Sequence, residues 1–341
     1  MKKIFYSILI FLLILLNFST VCADDVDNEV DFEDTIEVTA SNVSELPKTN
    51  SRRYIVYDRI SKSMIIGKNE DVKSAMASTT KIMTTIVILE KADLNEKVTV
   101  SAKAGGTGGS RLGLKRGDKA SVRDLLYGLM LRSGNDAAVA LAEHVGGSVK
   151  GFAELMNEKA IELGLTNTHF VTPHGLDDAN HYTTALELAK LTDYAMDNET
   201  FAKIVGTKST TIYINNQSRQ INNTNELLGV LNGVVGVKTG FTNNAGRCLV
   251  TETKRNNMDI ITIVLGADTK KDRTKDSVNL IEYTFSKYKM YNLEEQIIKE
   301  FNKWKNINEK RILIIKGKTS NPKLALGAIE KATIPICDND K

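Results

Sequence analysis

Residues 77–85, ASTTKIMTT, decide how the rest of the chain is read. Ile82, Met83, Ile86 and Val87 recur at the spacing of one helical face and call for burial, so a helix is expected from Ser78 to about Leu89. Lys81 falls one turn after Ser78, on nearly the same side. Taken alone, the pair reads as a serine that caps a helix and a lysine that snorkels to solvent. The apolar run IMTTIVIL that continues from Lys81 opposes that reading, because its bulk must be buried.

Two stretches downstream turn the preference towards chemistry: Ser133-Gly134-Asn135, at a break between two helical patterns, and Lys238-Thr239-Gly240, inside a strand-like run. A serine hydroxyl becomes a good nucleophile only when a base removes its proton, and a lysine at i+3 places an amine beside it. That amine must be neutral; burial and a second cation, Lys238, would both depress its pKa. A serine at a helix start also presents its own N–H to a developing oxyanion. Ser133 and Asn135 read blandly as a turn residue and a helix cap. Read as chemistry, Ser133 relays a proton to a leaving amine and Asn135 donates to a substrate amide, while Thr239 and Lys238 receive a substrate carboxylate.

Around these stretches the chain alternates in blocks. RRYIVYDRISKSMIIGKN (52–69) reads as two strands with a tight turn. Helices follow at SVRDLLYGLMLR, where Ser121 and Asp124 stand in capping-box positions, and at DAAVALAEHVGG, closed by Gly146. GFAELMNEKAIELG and TTALELAKLTDYAM, with Thr184 and Glu187 as another capping box, add two more. After about residue 208 come short β-rich runs, STTIYI, GVVGVKTGFT, RCLVTET and MDIITIVLGA, the last two joined as a hairpin by Lys254 to Asn257. A helix over DSVNLIEYTFSKYKMY closes this part. Sheet before and after a helical block implies an α+β fold with helices packed on an antiparallel sheet.

The ends read differently. Residues 1–23 have Lys2 and Lys3, an apolar run and Val21-Cys22-Ala23, the pattern of an export signal cleaved after Ala23. Residues 24–50 are acidic and unpatterned and read as a linker. Residues 51–291 carry the globular pattern; 292–341 hold one strand-like run, KRILIIKG, and make a short β-containing extension with no amphipathic stretch for a C-terminal membrane anchor. With 45 basic and 42 acidic side chains the net charge is +3, so neither nucleic acid nor another polyanion is indicated as a partner. Cys248 and Cys337 are too few for a disulfide framework. His144, His169, His174 and His181 fall in no zinc spacing, so no metal is expected and His174 and His181 read as loop hydrogen-bonders.

The conjunction of Ser-x-x-Lys, Ser-Gly-Asn and Lys-Thr-Gly, in that order, resembles the set of class A β-lactamases and penicillin-binding proteins. With GGSRLGLKRGD, LGLTNTHFVTPHGLDDANHYTTALELAKL and GVKTGFTNNAGRCLV, the chain from about Arg52 to Tyr291 is similar to D-alanyl-D-alanine carboxypeptidases, the low-molecular-weight penicillin-binding proteins. The resemblance implies a transpeptidase-like α+β domain that, without a cofactor, removes terminal D-alanine from peptidoglycan stem peptides ending in D-Ala-D-Ala. It works outside the cytoplasm through an acyl-enzyme, and β-lactam antibiotics are covalent inhibitors. It carries the nucleophile to Ser78, the base to Lys81 and further core positions to Ser133, Asn135 and Lys238. With Thr239 and Gly240, the N–H of Phe241 becomes the second oxyanion donor, and Arg273 a holder of the substrate carboxylate. A D,D-endopeptidase shares these motifs. A β-lactamase needs Glu-x-x-Leu-Asn, and here Glu162 and Leu165 are followed by Thr166 before Asn167, so slow deacylation is expected. A non-catalytic wall-binding protein has no need of a buried amine beside a hydroxyl.

Overall fold

The computed structural model describes residues 45–292, 295, 297–304 and 333–337. Its strands are β1 (Arg53–Asp58), β2 (Ser63–Lys68), β3 (Lys97–Thr99), β4 (Lys119–Ser121), β5 (Ser209–Ile214), β6 (Gln217–Asn222), β7 (Val234–Thr242), β8 (Gly246–Arg255), β9 (Met258–Ala267), β10 (Tyr288–Asn292) and β11 (Thr333–Cys337). The helices are α1 (Lys81–Lys91), α2 (Ala102–Gly105), α3 (Val122–Leu131), α4 (Asn135–Gly146), α5 (Val149–Glu162), α6 (Ala185–Met196), α7 (Glu199–Val205) and α8 (Lys270–Lys287).

A five-stranded antiparallel sheet in the order β2-β1-β9-β8-β7 forms the middle layer. Successive strand residues point to opposite faces, and both faces are covered. Ile55, Tyr57, Ile261 and Ile263 join the main core with α1, α3 and α4, while Tyr54, Val56, Ile260 and Val264 pack with Leu280 of α8. β7 forms one edge, and the Lys-Thr-Gly stretch lies on it. The β8–β9 hairpin turns on Asn256 and Asn257, with φ of 50° and 62°, the left-handed pair a two-residue turn needs. The structure is thus the expected α+β arrangement.

Several local expectations give way. The helix expected from Ser78 starts at Lys81, because Ala77–Thr80 form a separate 3-10 turn. The left-handed residue that closes α4 is Gly147, with φ of 69°, one place after Gly146. Thr184 Oγ1 accepts the Glu187 N–H at 3.1 Å, but the Glu187 carboxylate turns away to the Asn167 N–H at 2.9 Å, so only half of a capping box forms. The closing helix begins at Lys270, capped by Thr269, and ends at Lys287. Tyr288 and Met290 then alternate towards the α8 side of the sheet as part of β10, which pairs with β11. A second, four-stranded sheet, β3-β4-β5-β6, is only partly anticipated: the STTIYI run is β5, but β3, β4 and β6 have no counterpart in the sequence reading, and β3 and β4 are three residues each. It packs Val98, Ala120, Ile212, Ile214 and Ile221 into the main core. The KRILIIKG run lies outside the described residues, as does the N-terminal segment to residue 44.

Candidate active site

The 3-10 turn Ala77–Thr80 enters α1 with Ala77 at φ 48°, a left-handed conformation unusual for a residue with a side chain. It brings Ser78 and Lys81 side by side, both buried. Lys81 Nζ lies 2.6 Å from Ser78 Oγ, 2.8 Å from Asn135 Oδ1 and 2.9 Å from the His174 carbonyl oxygen. Lys81 therefore does not snorkel: three acceptors surround its amine, and its exposure is 0%.

Asn135 opens α4, where the break after α3 places Ser133 at φ 56°, buried. Its N–H donates to the Ser110 carbonyl at 2.8 Å and its Nδ2 to the Gly108 carbonyl at 2.9 Å. The loop it grips is fixed by a residue that motif reading passes over. The buried Asp136 carboxylate accepts the N–H groups of Leu112 at 2.9 Å, Gly113 at 2.8 Å and Leu114 at 2.9 Å. The only signal for it in the sequence is a carboxylate directly after Ser-Gly-Asn, with glycines available to the loop at Gly109 and Gly113, both at positive φ.

The third stretch faces this turn from β7. A Cβ at Gly240 would stand 3.0 Å from the Ser78 nitrogen and 3.2 Å from Ala77 Cβ, so only glycine lets the strand lie this close. Lys238 is buried and donates from Nζ to the Thr239 carbonyl at 2.9 Å; Thr239 Oγ1 is 2.8 Å from Thr224 Oγ1. Phe241 is half-buried, with the Arg247 guanidinium 3.9 Å over its ring. Arg273 sits in the first turn of α8, fully buried, and donates from Nη2 to Glu226 Oε1 at 3.1 Å, two residues beyond Thr224. It is therefore no solvated surface charge. Ser78, Lys81, Asn135 and Gly240 meet directly, whereas Arg273 joins the Thr224–Glu226 loop beside Thr239.

The fourth wall is the 171–181 loop, which the motifs do not name. Besides the His174 carbonyl, it brings His181 under the Ala77–Thr80 turn: His181 Nε2 is 2.8 Å from Thr80 Oγ1, and Nδ1 accepts the Val171 N–H at 3.0 Å. Both imidazoles act in hydrogen bonds as expected, and burial holds both neutral. His174 is lowered to about 3, by burial and then by Lys81; His181 is lowered to about 4, by burial against a smaller opposing pull from Asp178. Asp177 accepts from Thr242 Oγ1 at 2.5 Å and ties the loop to the end of β7. Glu162 is elsewhere, largely exposed at the end of α5 and paired with Lys159 Nζ at 2.7 Å. Among the described residues no group of His, Cys, Asp or Glu is placed to hold a metal ion. Nor is any described helix long and apolar enough to cross a membrane.

A serine and a lysine in contact, a buried polar side chain on the lysine and a glycine-faced strand edge against the serine N–H suit acyl transfer. A family model described as peptidase S11, D-alanyl-D-alanine carboxypeptidase, matches residues 39–269. The chain is 37% identical to D-alanyl-D-alanine carboxypeptidase DacF of Bacillus subtilis over 245 residues, 70% of this chain and 63% of the relative. It is 38% identical to DacC of Escherichia coli over 270 residues, 72% of this chain and 64% of that one. It thus spans a little under two thirds of both relatives. Among solved structures, the Streptomyces K15 DD-transpeptidase superposes with a TM-score of 0.67 at 34% identity, over 71% of this chain and 99% of that one. D-alanyl-D-alanine carboxypeptidase DacD from Francisella tularensis gives 0.68 at 30% identity, over 73% of each.

Proposed function

The chain belongs to the peptidase S11 family of D-alanyl-D-alanine carboxypeptidases, and from that membership we propose that it is a serine-type D,D-carboxypeptidase acting on peptidoglycan stem peptides through an acyl-enzyme at Ser78. The 2.6 Å contact between Lys81 Nζ and Ser78 Oγ carries this reading. With the amine neutral, the Ser78 hydroxyl donates to Lys81 and gives up its proton as Oγ attacks the carbonyl of the penultimate D-alanine. The Asn135 and His174 oxygens then accept from the ammonium that forms, so the charge appears where acceptors already stand.

In this reading the tetrahedral oxyanion lies between the N–H groups of Ser78 and Phe241, and Gly240 is what allows those two donors to converge. Lys238, Thr239 and, through the neighbouring loop, Arg273 receive the terminal carboxylate. Ser133 relays the proton of the Lys81 ammonium to the departing D-alanine nitrogen as the C–N bond breaks, which leaves Lys81 neutral, and Asn135 orients the acyl amide. Water then attacks the ester and gives a proton to Lys81, Lys81 returns it to Oγ as the ester C–O bond breaks, and a stem shorter by one D-alanine leaves. A β-lactam follows the first half of this path and remains as an ester on Ser78. Residues 1–23 export the chain, and the reaction takes place outside the cytoplasm. Residues 51–291 are the catalytic unit, after an acidic linker at 24–50 and before the extension 292–341.

The test is D-alanine release from a pentapeptide ending in D-Ala-D-Ala, with Ser78→Ala alongside. Release by the unaltered protein and none by the variant is expected; equal release by both overturns the mechanism.

A further inference from the structure

Basic side chains crowd one small lobe. From the start of β3 to the end of β4, and again from β5 to β6, the chain carries Lys97, Lys103, Arg111, Lys115, Arg116, Lys119 and Arg219 against one carboxylate, Asp118. All of these cations are exposed. Residues 46–291 hold 33 basic and 26 acidic side chains, and taking the lobe's from them leaves 26 and 25, so the lobe carries nearly all of the positive excess of that segment. A net charge near neutrality conceals this separation. Asp118 is half-buried and accepts from the Lys115 N–H at 2.8 Å and from Asn215 Nδ2 at 2.7 Å. At the border Glu96 faces His144 Nε2 at 2.7 Å.

The lobe adjoins the cleft. The β3–β4 connection folds back on itself through Gly117 N–H to Val100 O, 2.8 Å, and Arg219 reaches across from β6 to the Leu112 carbonyl. Its Gly108 and Ser110 carbonyls hold Asn135, Asp136 holds residues 112–114, and Lys115 and Arg116 follow at once. Lys103 is close enough to contribute to the field on the buried His174 ring. Exposed charges act over a screening length of about 8 to 10 Å at ordinary ionic strength, and a field of one sign beside a cleft raises encounter rates by roughly 10 to 10³. Among the described residues Tyr213 is the sole large apolar side chain exposed on this lobe, which gives a lipid surface little to insert.

We propose that this lobe docks polymeric peptidoglycan, whose neighbouring stem peptides present repeated carboxylates, so that the anionic wall polymer is the favoured substrate over a detached stem. The inference rests on the carboxypeptidase reading for its substrate. One stem places its terminal carboxylate at Lys238 and Thr239; its neighbours on the same strand meet the lobe, and their many weak contacts act together.

The experiment compares the unaltered protein with a triple variant, Lys115→Gln, Arg116→Gln and Lys119→Gln. D-Alanine release is measured from sacculi freed of phosphate-containing polymers, and from a short acyl-D-Ala-D-Ala whose sole charge is its terminal carboxylate. Release from sacculi by the unaltered protein is expected to be about tenfold slower at about 0.5 M salt than at about 20 mM. The triple variant is slow at both, and the two proteins cleave the short substrate equally. Equal rates on sacculi, or equal losses on both substrates, overturn the proposal. Co-sedimentation of Ser78→Ala protein with the same sacculi reads the surface without any turnover: retention that the triple substitution abolishes supports docking even if D-alanine release fails. Retention on anionic vesicles or phosphodiester polymer but not on cleaned sacculi overturns it.

Discussion

His181 Nε2 stands 2.8 Å from Thr80 Oγ1, and the same hydroxyl donates to the Ala77 carbonyl at 2.7 Å. With its one proton committed to Ala77, the Thr80 oxygen accepts from Nε2–H, while Nδ1 accepts from Val171 N–H at 3.0 Å. The ring therefore fits as the neutral Nε2–H tautomer, and a second proton would set Nδ1–H against Val171 N–H.

Acid should loosen this support of the Ala77–Thr80 turn. His181 binds a proton at about 4 when folded against an ordinary 6.5, and His174 at about 3. Their contribution is complete above about pH 6.5 and is lost as pH falls towards 4, with a slope of up to about 1.4 kcal/mol per pH unit for each proton taken up. Glu252 works in the opposite sense. Burial and the neighbouring Asp259 push it up to about 7, so its contribution to stability falls as pH rises from about 4.5 to 7. The raw stability profile mixes the two, and the difference between proteins is diagnostic. His181→Gln is expected to lower the unfolding midpoint near pH 7 and to lose less of it on acidification to pH 4 than the unaltered protein. Parallel midpoint curves for the two would show that His181 is not the titrating group.

Gly240→Ala should separate acylation from stability. The added Cβ meets the Ser78 nitrogen at 3.0 Å and Ala77 Cβ at 3.2 Å, both parts of the turn that carries Ser78. Relief of that contact moves either the turn or the edge strand by a few tenths of an ångström, at a stability cost of about 1 to 3 kcal/mol. Labelling of Ser78 by a fluorescent penicillin is expected to slow at least tenfold, by roughly the value of one oxyanion donor. Unchanged labelling in a folded variant would remove Gly240 from the site.

Glu162→Gln should change nothing in the reaction with β-lactams. Glu162 is exposed and bound to Lys159, so it cannot present a water to an ester at Ser78. A chromogenic cephalosporin should give one burst per protein molecule and then slow release, identical in both proteins. Fast continuous hydrolysis by the unaltered protein, abolished in the variant, would point to a β-lactamase.

What was legible in the sequence was what depends on short-range spacing. The i+3 pair Ser78 and Lys81, the strand runs RRYIVYD and MDIITIVLGA, and the hairpin at Lys254 to Asn257 are each set by residues a few places apart. What was missed depends on contacts between distant parts of the chain. Asp136 meets the N–H groups of residues 112–114 only once α4 and the β3–β4 connection are folded together. His181 reaches Thr80 across 101 residues. The strands β3 and β4 are too short to carry a periodic signal, and their pairing with the β5–β6 hairpin is what stabilises them. The start of α1 was misplaced because a 3-10 turn and an α-helical turn place i and i+3 nearly alike.

Lys81→Arg tests the base itself. The amine lies between three oxygens at 2.6, 2.8 and 2.9 Å, a set that matches the three donors of an ammonium and leaves no room for a planar guanidinium. Arginine also keeps its proton at any pH at which the protein is folded, so it cannot receive one from Ser78. Acylation by penicillin should fall by about 10² to 10⁴, the usual worth of a positioned base. Lys81→Met should fall by at least as much, with a smaller loss of stability because it buries no charge. The two variants together distinguish a missing base from a distorted pocket. If Lys81→Met acylates near the normal rate, a different group takes the Ser78 proton; if Lys81→Arg alone is inactive, the bulk of the guanidinium and not the loss of the base is responsible.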